Sequence, residues 1–319
     1  MSNSLASLVT LTPSPAIDRT YRLSQLLLGE VNRATSVTEE FAGKGVNVSR
    51  NLSLAGVTAP AVVPLSTRDR GLVEGDALIM PSVCAGRLRV NITAIDDDGE
   101  TTKINQSAPE LSGQEWDALV DTARKALGAK EESWLLIGGS FPTISGGLPD
   151  IQSLRASLPE GTKIALDTSG EVFEVWARSG LVDFVKPNVK ELGDALGRTL
   201  RTVGDVAAAA KEVASWGVRH VMVSMGADGF LGHSDGEFWW ATCEPVEVSN
   251  TIGAGDASVS GFFDSLLRNP QDIGSAVARA AQWGAHKVQQ PTSQLSHLDG
   301  LPAVTVTNAI ELAREVTAD

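Results

Sequence analysis

The feature that most constrains this chain is a repeated alternation of strand-length apolar runs and helical apolar stripes, which begins near Gln114. One stripe with helical spacing consists of Trp116, Leu119, Val120, Ala123 and Leu127. The apolar runs that follow it cover residues 134–137, 164–166, 182–185 and 218–224, and a further helix is predicted over residues 206–214. Repeated βα units predict an α/β fold, a doubly wound, mostly parallel sheet flanked by helices.

Each apolar run ends in glycine or polar residues. These endings are Gly138-Gly139-Ser140, Asp167, Lys186-Pro187-Asn188 and Met225-Gly226. In doubly wound sheets the ligand crevice lies beyond the carboxyl ends of the strands. The predicted active site is therefore at that edge of the sheet.

Composition and charge narrow the function classes. The chain has 319 residues, 42% of them apolar, which is enough for one large core or two modest domains. A formal net charge of −13 argues against nucleic acid as a partner, because affinity for the phosphate backbone requires clustered Lys and Arg. Any bound anion must then be held by a local group of donors.

The cysteines, histidines and N-terminal residues predict an intracellular protein. Cys84 and Cys243 lie far apart and suggest no disulfide framework, which fits a reducing compartment. The four histidines have no metal-ligand spacing. The apolar run at residues 5–11 is too short to span a membrane and follows no basic segment. We expect a cytoplasmic protein with no membrane partner.

Two stretches near residue 100 alternate as half-exposed strands do. Residues 87–95 and 101–106 flank Asp96-Asp97-Asp98-Gly99, which predicts a hairpin turn. The polar side of this antiparallel ribbon carries Arg89, Asn91, Lys103 and Asn105. With part of residues 15–41, the ribbon at 86–108 is expected to form a small sheet that acts as a lid over the crevice. The alternative for any single charge is a solvated face.

The segment Asn250-Thr251-Ile252-Gly253-Ala254-Gly255-Asp256 precedes a predicted helix with an apolar face. Glycines permit a tight turn, and a helix start offers unpaired N–H groups and a positive dipole end to an anion. Asp256 then has two interpretations, a plain N-terminal cap or a general base beside an anion hole. The flanking glycines, which capping does not need, favour the base.

Two other nucleotide motifs can be weighed against this interpretation. Residues 253–258 read G-x-G-x-x-S, one residue away from the dinucleotide fingerprint, but they stand late in the chain, where that motif does not belong. The sequence has no G-x-x-x-x-G-K-[ST], which excludes a P-loop kinase.

A second glycine-rich helix start is Gly43-Lys44-Gly45-Val46-Asn47. It combines close backbone approach, one cation and an amide, a set that suits a sugar phosphate.

These segments resemble the ribokinase-like carbohydrate kinases of the phosphofructokinase B group, and most closely the 1-phosphofructokinase and tagatose-6-phosphate kinase branch. The resemblance covers nearly the whole chain, residues 1–319, as a single domain. It runs in order through residues 13–18, 43–48, 89–91, 102–105, 139–142, 167–170, 186–191, 223–226 and 253–256. Three stretches depart from the family pattern, namely residues 64–82, 106–109 and 290–293.

The resemblance implies a role for each matching residue. Asp256 is matched to the catalytic base, and Gly253, Ala254 and Gly255 to the anion hole. Sugar hydroxyls are assigned to Asp18, Gly43 and Asn47, with Ser140 nearby. The phosphate already on the substrate is assigned to Lys44, Arg89 and Lys103, with Arg33 serving this pocket or a neighbouring subunit's. The residues matched to nucleotide binding are Lys186, Asn188, Ser224 and Gly226, and the pair Asn188 and Glu191 is matched to binding of Mg²⁺ through water.

The activity implied is ATP- and Mg²⁺-dependent phosphorylation of a sugar phosphate. Lys44, Arg89 and Lys103 in a chain of net charge −13 favour an acceptor that is already phosphorylated. Fructose 1-phosphate is the expected acceptor, with tagatose 6-phosphate or fructose 6-phosphate as alternatives and a non-catalytic sugar-phosphate regulator as a third. The apolar side of the ribbon, with Leu88, Val90 and Ile92, needs cover, so we expect a homodimer through the lid.

Overall fold

Two sheets are present in the part of the chain that the computed structural model describes, residues 7–128 and 132–317. In chain order the strands are β1 (Ser7–Leu11), β2 (Ala16–Arg22), β3 (Ser36–Ala42), β4 (Ala61–Leu65), β5 (Ile79–Val83), β6 (Arg89–Ile95), β7 (Thr101–Asn105), β8 (Ser133–Gly138), β9 (Thr162–Asp167), β10 (Phe184–Val185), β11 (His220–Ser224), β12 (Phe230–Ser234), β13 (Glu237–Cys243) and β14 (Val304–Thr307). The helices are α1 (Lys44–Leu54), α2 (Gly113–Leu127), α3 (Ile151–Ser157), α4 (Gly170–Ala177), α5 (Val189–Ala195), α6 (Val203–Ser215), α7 (Ala254–Arg268) and α8 (Ile273–Val288). Short 3₁₀ turns occupy Arg70–Val73 and Gly226–Asp228.

The large sheet has the order β14-β13-β12-β11-β10-β9-β8-β1-β4-β5. The seven strands from β11 to β5 in this order are parallel to their neighbours, whereas β12, β13 and β14 are antiparallel. The predicted mostly parallel sheet is therefore confirmed. Its parallel strands bring the ends of β1, β8, β9, β10 and β11 to one edge.

Strand residues alternate between two apolar cores, one on each face of the large sheet. In β8, Leu135 and Ile137 belong to the core that includes Leu119 of α2. Trp134 faces the other side and packs edge-on against Phe263 of α7, with 5.3 Å between the ring centroids. Helices α2, α3, α4 and α6 contribute to the first core, and α1, α7 and α8 to the second. A strand buried on both faces needs consecutive apolar residues, and this is the physical origin of the apolar runs in the sequence.

The small sheet has the order β3-β2-β6-β7. Strands β6 and β7 form the predicted antiparallel hairpin, but β2 joins β6 in parallel, with Asp18 opposite Asn91. The register assigns one face to Asp18, Thr20, Glu40, Asn91, Thr93, Lys103 and Asn105, and the other to Ile17, Val37, Val90, Ile92 and Ile104. The polar and apolar sides expected of the ribbon are thus both present.

Leu88, expected on the apolar side of the ribbon, lies just before β6 and is half-buried. It packs against a core cluster that includes Phe41, which the register places on the same face of the small sheet as Ile17. Its N–H donates to the carboxylate of Asp69 at 3.2 Å, which holds the start of β6 to the segment after β4. No helix in the described ranges is long and apolar enough to cross a bilayer.

Candidate active site

Helix α7 begins at the carboxyl edge of the large sheet with glycine in place of a capping side chain. Gly253 has φ 82°, and a Cβ on it would lie 1.9 Å from the carbonyl oxygen of Ser293, so only glycine fits. By contrast, Ser112 and Thr202 accept hydrogen bonds from the first turns of α2 and α6. No side chain caps the first turn of α7. The N–H of Ala254 donates to the carbonyl oxygen of Thr251 at 3.2 Å, whereas the N–H of Gly255 has no acceptor among the described residues and is open to an anion.

Asp256 lies in the first turn of α7, and its carboxylate is directed at another helix start. Its Oδ2 accepts a hydrogen bond from Nδ2 of Asn47 at 2.7 Å, across 209 residues of sequence. Because Gly253 is the N-cap, the capping interpretation of Asp256 is wrong. Burial raises the pKa of this carboxyl to about 6, although Lys44 opposes the shift. Such a carboxylate is a better proton acceptor than an ordinary aspartate.

Two lysines and a second buried aspartate adjoin Asp256. The ammonium of Lys44 lies 2.8 Å from Oδ1 of Asp167, and that of Lys186 lies 3.7 Å from the same oxygen. Burial alone would raise the pKa of Asp167, but the two lysines outweigh it and hold the pKa below its usual value. Burial likewise opposes the charge of Lys44, yet Asp167 and Asp256 keep its pKa above the usual value. Asp167 and Lys44 are therefore both ionised.

Glycines let these lysines reach the helix starts. A Cβ on Gly138 would lie 3.0 Å from Cβ of Lys44, and one on Gly255 would lie 3.3 Å from Nζ of Lys186. Lys186 therefore adds positive charge at the first turn of α7. The structure places Lys44 beside Asp167, at the end of β9, whereas Arg89 and Lys103 lie on the small sheet. Lys44 is therefore part of the buried charge cluster and not of the small sheet.

The polar face of the small sheet supplies a second group of charges. Asp18 accepts a hydrogen bond from Asn91 at 2.9 Å. Burial raises the pKa of Asp18, while Asn91, Arg89 and Lys103 act to lower it. The guanidinium of Arg89 donates to the carbonyl oxygen of Ser14 at 3.1 Å, at the segment that joins β1 to β2. The small sheet thus brings Asp18, Arg89 and Lys103 together, as the resemblance implies.

The other predicted sugar-side residues differ in placement. Gly43 and Gly45 both pack on Thr12. A Cβ on Gly43 would lie 2.5 Å from Cγ2 of Thr12, and a Cβ on Gly45 would lie 2.7 Å from its Oγ1. Ser140 is exposed just past the end of β8. Arg33 is exposed in the connection between β2 and β3 and makes no hydrogen bond or ion pair with the residues that the structure describes. Arg33 is therefore not brought to this site within one chain.

The predicted nucleotide positions are adjacent to one another. Asn188 and Glu191 form a capping box at α5, with Asn188 Oδ1 accepting from the Glu191 N–H at 2.7 Å and Glu191 Oε2 from the Asn188 N–H at 2.9 Å. The backbone of Asn188 also forms an isolated parallel β-bridge with Ser224, the last residue of β11, which precedes the turn at Gly226. One carboxylate oxygen of Glu191 stays outside the box. A metal held there would need most of its ligands from phosphates and water, as Mg²⁺ commonly does.

Buried polar atoms without partners are concentrated at this edge. Within the described residues they include Thr12 Oγ1, Ser14 Oγ, Asn47 Oδ1, Arg89 Nε, Asn91 Oδ1 and Asp167 Oδ2. Unpaired buried polar groups are rare in folded proteins, because each one costs free energy. Their concentration between α1, β9 and the small sheet indicates where a polar ligand binds.

Sequence reasoning assigned no role to Asp167, Glu40, Ser293 or Lys287. Asp167 had a signal, because it ends a buried strand and cannot stay ionised there without cations. Glu40 and Ser293 had no such signal, because 253 residues separate them, and Lys287 had none because its partner Asn250 is 37 residues away. Ser293 donates to Glu40 of β3 at 2.5 Å, and Lys287 is buried behind Gly253. Residues 290–293, one of the stretches that depart from the family pattern, pack against the start of α7.

Comparisons with known proteins agree with this geometry. The family model described as pfkB family carbohydrate kinase matches residues 80–299. A 1-phosphofructokinase of Haloferax volcanii is 37% identical over 80% of this chain and 83% of its own length, and one of Escherichia coli strain K12 is 31% identical over 81% and 83%. The crystal structure of phosphofructokinase-2 from Escherichia coli in complex with substrates and products superposes with a TM-score of 0.81 at 26% identity, over 92% of this chain and 96% of that one. The chain belongs to the pfkB family of carbohydrate kinases.

Proposed function

We propose that this chain is an ATP-dependent 1-phosphofructokinase, which converts fructose 1-phosphate and ATP to fructose 1,6-bisphosphate and ADP. The observation that carries the proposal is the pairing of Asp256 with Asn47 at an uncapped helix start that two lysines adjoin. Phosphoryl transfer needs positioning, charge stabilisation and one base, and this edge of the sheet holds all three.

Each of these residues has a defined task in the reaction. Asp256 accepts the proton of the attacking hydroxyl, and its pKa of about 6 leaves it ionised at neutral pH and still basic. Asn47 holds the carboxylate by donating to it. The N–H groups of Gly253 and Gly255, with the nearby ammonium of Lys186, stabilise the charge on the transferring phosphoryl group, while the N–H of Ala254 donates to the carbonyl oxygen of Thr251 and holds the turn. Asp167 orients both lysines, which would otherwise repel each other.

ATP binds, in this proposal, along the positions that follow β10 and β11. Lys186, Asn188, Ser224 and Gly226 are neighbours there, which supports the assignment made from the resemblance. Mg²⁺, when bound with ATP, neutralises charge on its phosphates, and Glu191 with Asn188 holds it through water. Both side chains also cap α5, so their orientation is set before a ligand arrives.

The acceptor is selected by the small sheet, which we propose acts as a lid on a single ribokinase-like unit. Asp18 and Asn47 hold sugar hydroxyls, while Arg89 and Lys103 bind the phosphate that the sugar already carries. We propose fructose 1-phosphate as the acceptor because the curated relatives at 31–37% identity are named 1-phosphofructokinase. Fructose 6-phosphate is the second candidate, because phosphofructokinase-2 from Escherichia coli, solved with that sugar, has a TM-score of 0.79.

A coupled assay of ADP release tests the proposal. Purified protein with ATP and Mg²⁺ is given fructose 1-phosphate, fructose 6-phosphate, tagatose 6-phosphate and unphosphorylated fructose in parallel. The highest kcat/KM is expected with fructose 1-phosphate. A higher value with a 6-phosphate would change the substrate, and ligand binding without ADP release from any acceptor would indicate a regulator.

We also propose a homodimer through the small sheet, in the cytoplasm. The supporting observation is its apolar face, where Val37 and Ile104 are 48% and 63% exposed. The two cysteines are unbonded, as in a reducing compartment. Light scattering is expected to give twice the chain mass, and Ile104→Lys to shift it toward the monomer. A monomeric wild-type protein at micromolar concentration would contradict the dimer.

A further inference from the structure

Lys287, near the end of α8, is the most deeply buried lysine in the part of the chain that the structure describes, with no exposed surface. Its ammonium donates to two backbone carbonyl oxygens, of Asn250 at 3.1 Å and of Gln290 at 3.4 Å. No carboxylate of residues 7–128 or 132–317 forms an ion pair with it. Burying an ammonium without a counter-ion is expensive, so a neutral residue would serve stability better.

The two carbonyl groups belong to loops that meet behind the start of α7. Asn250 connects the loops further, because its amide donates to the carbonyl oxygens of Pro291 at 3.0 Å and Thr292 at 3.3 Å. A Cβ on Gly253 would lie 3.6 Å from Cε of Lys287. The lysine side chain therefore contacts the N-cap of the helix that carries Asp256.

The direction of one peptide group links Lys287 to the anion hole. The C=O and N–H of a trans peptide point in opposite directions. When the ammonium holds the Asn250 carbonyl on its own side, the N–H of Thr251 is turned away from the ammonium. The positive charge of the Lys287 ammonium also has the same sign as the positive end of the α7 dipole, and the ammonium lies behind that end. Both effects favour an anion in front of α7.

We propose that Lys287 is a positioning residue, a cation built into the fold that holds the two loops in the arrangement in which the start of α7 binds the transferring phosphoryl group. This inference rests on the proposed function of the chain as a kinase. It assigns Lys287 to the chemical step, and not to binding of the sugar.

The charge state of Lys287 supplies an independent readout. Burial lowers the pKa of its ammonium to about 8, with Asp256 opposing the shift. Residues 249–253 and 289–293 carry no titratable side chain. The titratable groups nearest the lysine are Asp256 of α7, Glu40 beyond Ser293, and the pair His286 and His297 on the side of Gln290. As pH rises through about 8, the ammonium is lost and kcat is expected to fall.

Lys287→Met is the principal test, measured with whichever sugar phosphate the wild-type protein phosphorylates. We expect kcat to fall about 10- to 100-fold, the KM for the sugar phosphate to change less than about threefold, and the alkaline decline in kcat to disappear. The melting temperature should not fall, because an unpaired buried charge is removed. His286→Gln, which loses a buried polar contact on the same helix, is the matched control and should keep its kcat.

Wild-type kcat in Lys287→Met would overturn the proposal, because the start of α7 would then not depend on the ammonium. Should that variant fail to fold, the wild-type pH profile decides, and a flat kcat between pH 7 and pH 10 overturns the proposal. Added ethylammonium should also restore part of the kcat of Lys287→Ala by entering the space left by the side chain. Failure of the proposed function would look different, because the wild-type protein would then fail to release ADP with any of the sugar phosphates tested.

Discussion

The two sides of the candidate active site differ in how their charges are solvated. On the core side, Asp256, Asp167 and Lys186 are buried and lie within contact of opposite charges or amide donors. On the small sheet, Asp18 and Arg89 are only partly buried, and Lys103 is exposed. Preorganised, water-excluded charges suit a transition state, whereas solvated charges suit a ligand that must enter and leave. The difference suggests that the core side performs the chemistry and that the small sheet selects the substrate.

The largest expected effect is that of Asp256→Asn. Loss of the base should lower kcat by about 10²-fold or more, with little change in the KM of either substrate. Asp264→Asn is the matched control, because Asp264 is a buried aspartate on the same helix that pairs with Arg268 and Arg279 away from the site. Near-normal turnover in Asp256→Asn would end the assignment of the core side to chemistry.

Arg89→Ala tests the small sheet. Charge-assisted contacts with phosphate are worth about 1.5–3 kcal/mol, so kcat/KM for the phosphorylated sugar should fall about 10- to 100-fold, mainly through KM. The feeble activity expected with unphosphorylated sugar should hardly change. Arg19→Ala is the control, because Arg19 lies on the opposite face of the same sheet, paired with Glu39 at 2.6 Å. Equal losses with both acceptors would show that Arg89 does not read the phosphate.

The pH dependence of kcat/KM distinguishes the two sides without mutation. Burial raises the pKa of Asp256 to about 6, so the base becomes protonated, and inactive, as pH falls through that value. Below it, kcat/KM should decrease about tenfold per pH unit. The free enzyme is the relevant form, so the profile is measured at low sugar concentration. An activity that stayed level down to pH 5 would mean that another group accepts the proton.

A smaller effect concerns stability. Folding raises the pKa of Asp256 from 3.8 to about 6, so the stability of the protein decreases as pH rises between these values, and the full cost of ionising Asp256 remains at higher pH. This cost is absent when the residue cannot ionise, so Asp256→Asn should stabilise the unliganded protein at pH 8 by about 1 kcal/mol. Asp264→Asn should destabilise it, by leaving two arginines unpaired. Denaturant unfolding at pH 8 measures both, and a destabilised Asp256→Asn would contradict the first expectation.

Local sequence patterns predicted the elements of this fold better than their tertiary pairings. The apolar runs that became β8, β9 and β11 were recognisable because each strand is buried on both faces. Asp256 and Asn47 were each singled out by a glycine-rich helix start, but their pairing had no signal in the sequence, since 209 residues separate them. Asp167 and Lys287 were missed because a charge shows its purpose only through its partners, and Lys44 is 123 residues from Asp167. The parallel pairing of β2 with β6 likewise has no local signal.

That parallel pairing has a consequence for the order of folding. Ala16 of β2 lies opposite Arg89 of β6, and the chain between them contributes α1, β4 and β5 to the main body of the protein. Closing so long a loop costs entropy that is recovered only after those elements have packed, so the small sheet is expected to assemble late. For the same reason, its amides should exchange hydrogen sooner than those of β8 and β9. The chain would then acquire its catalytic base and anion site before its substrate selectivity, and on unfolding would lose selectivity first.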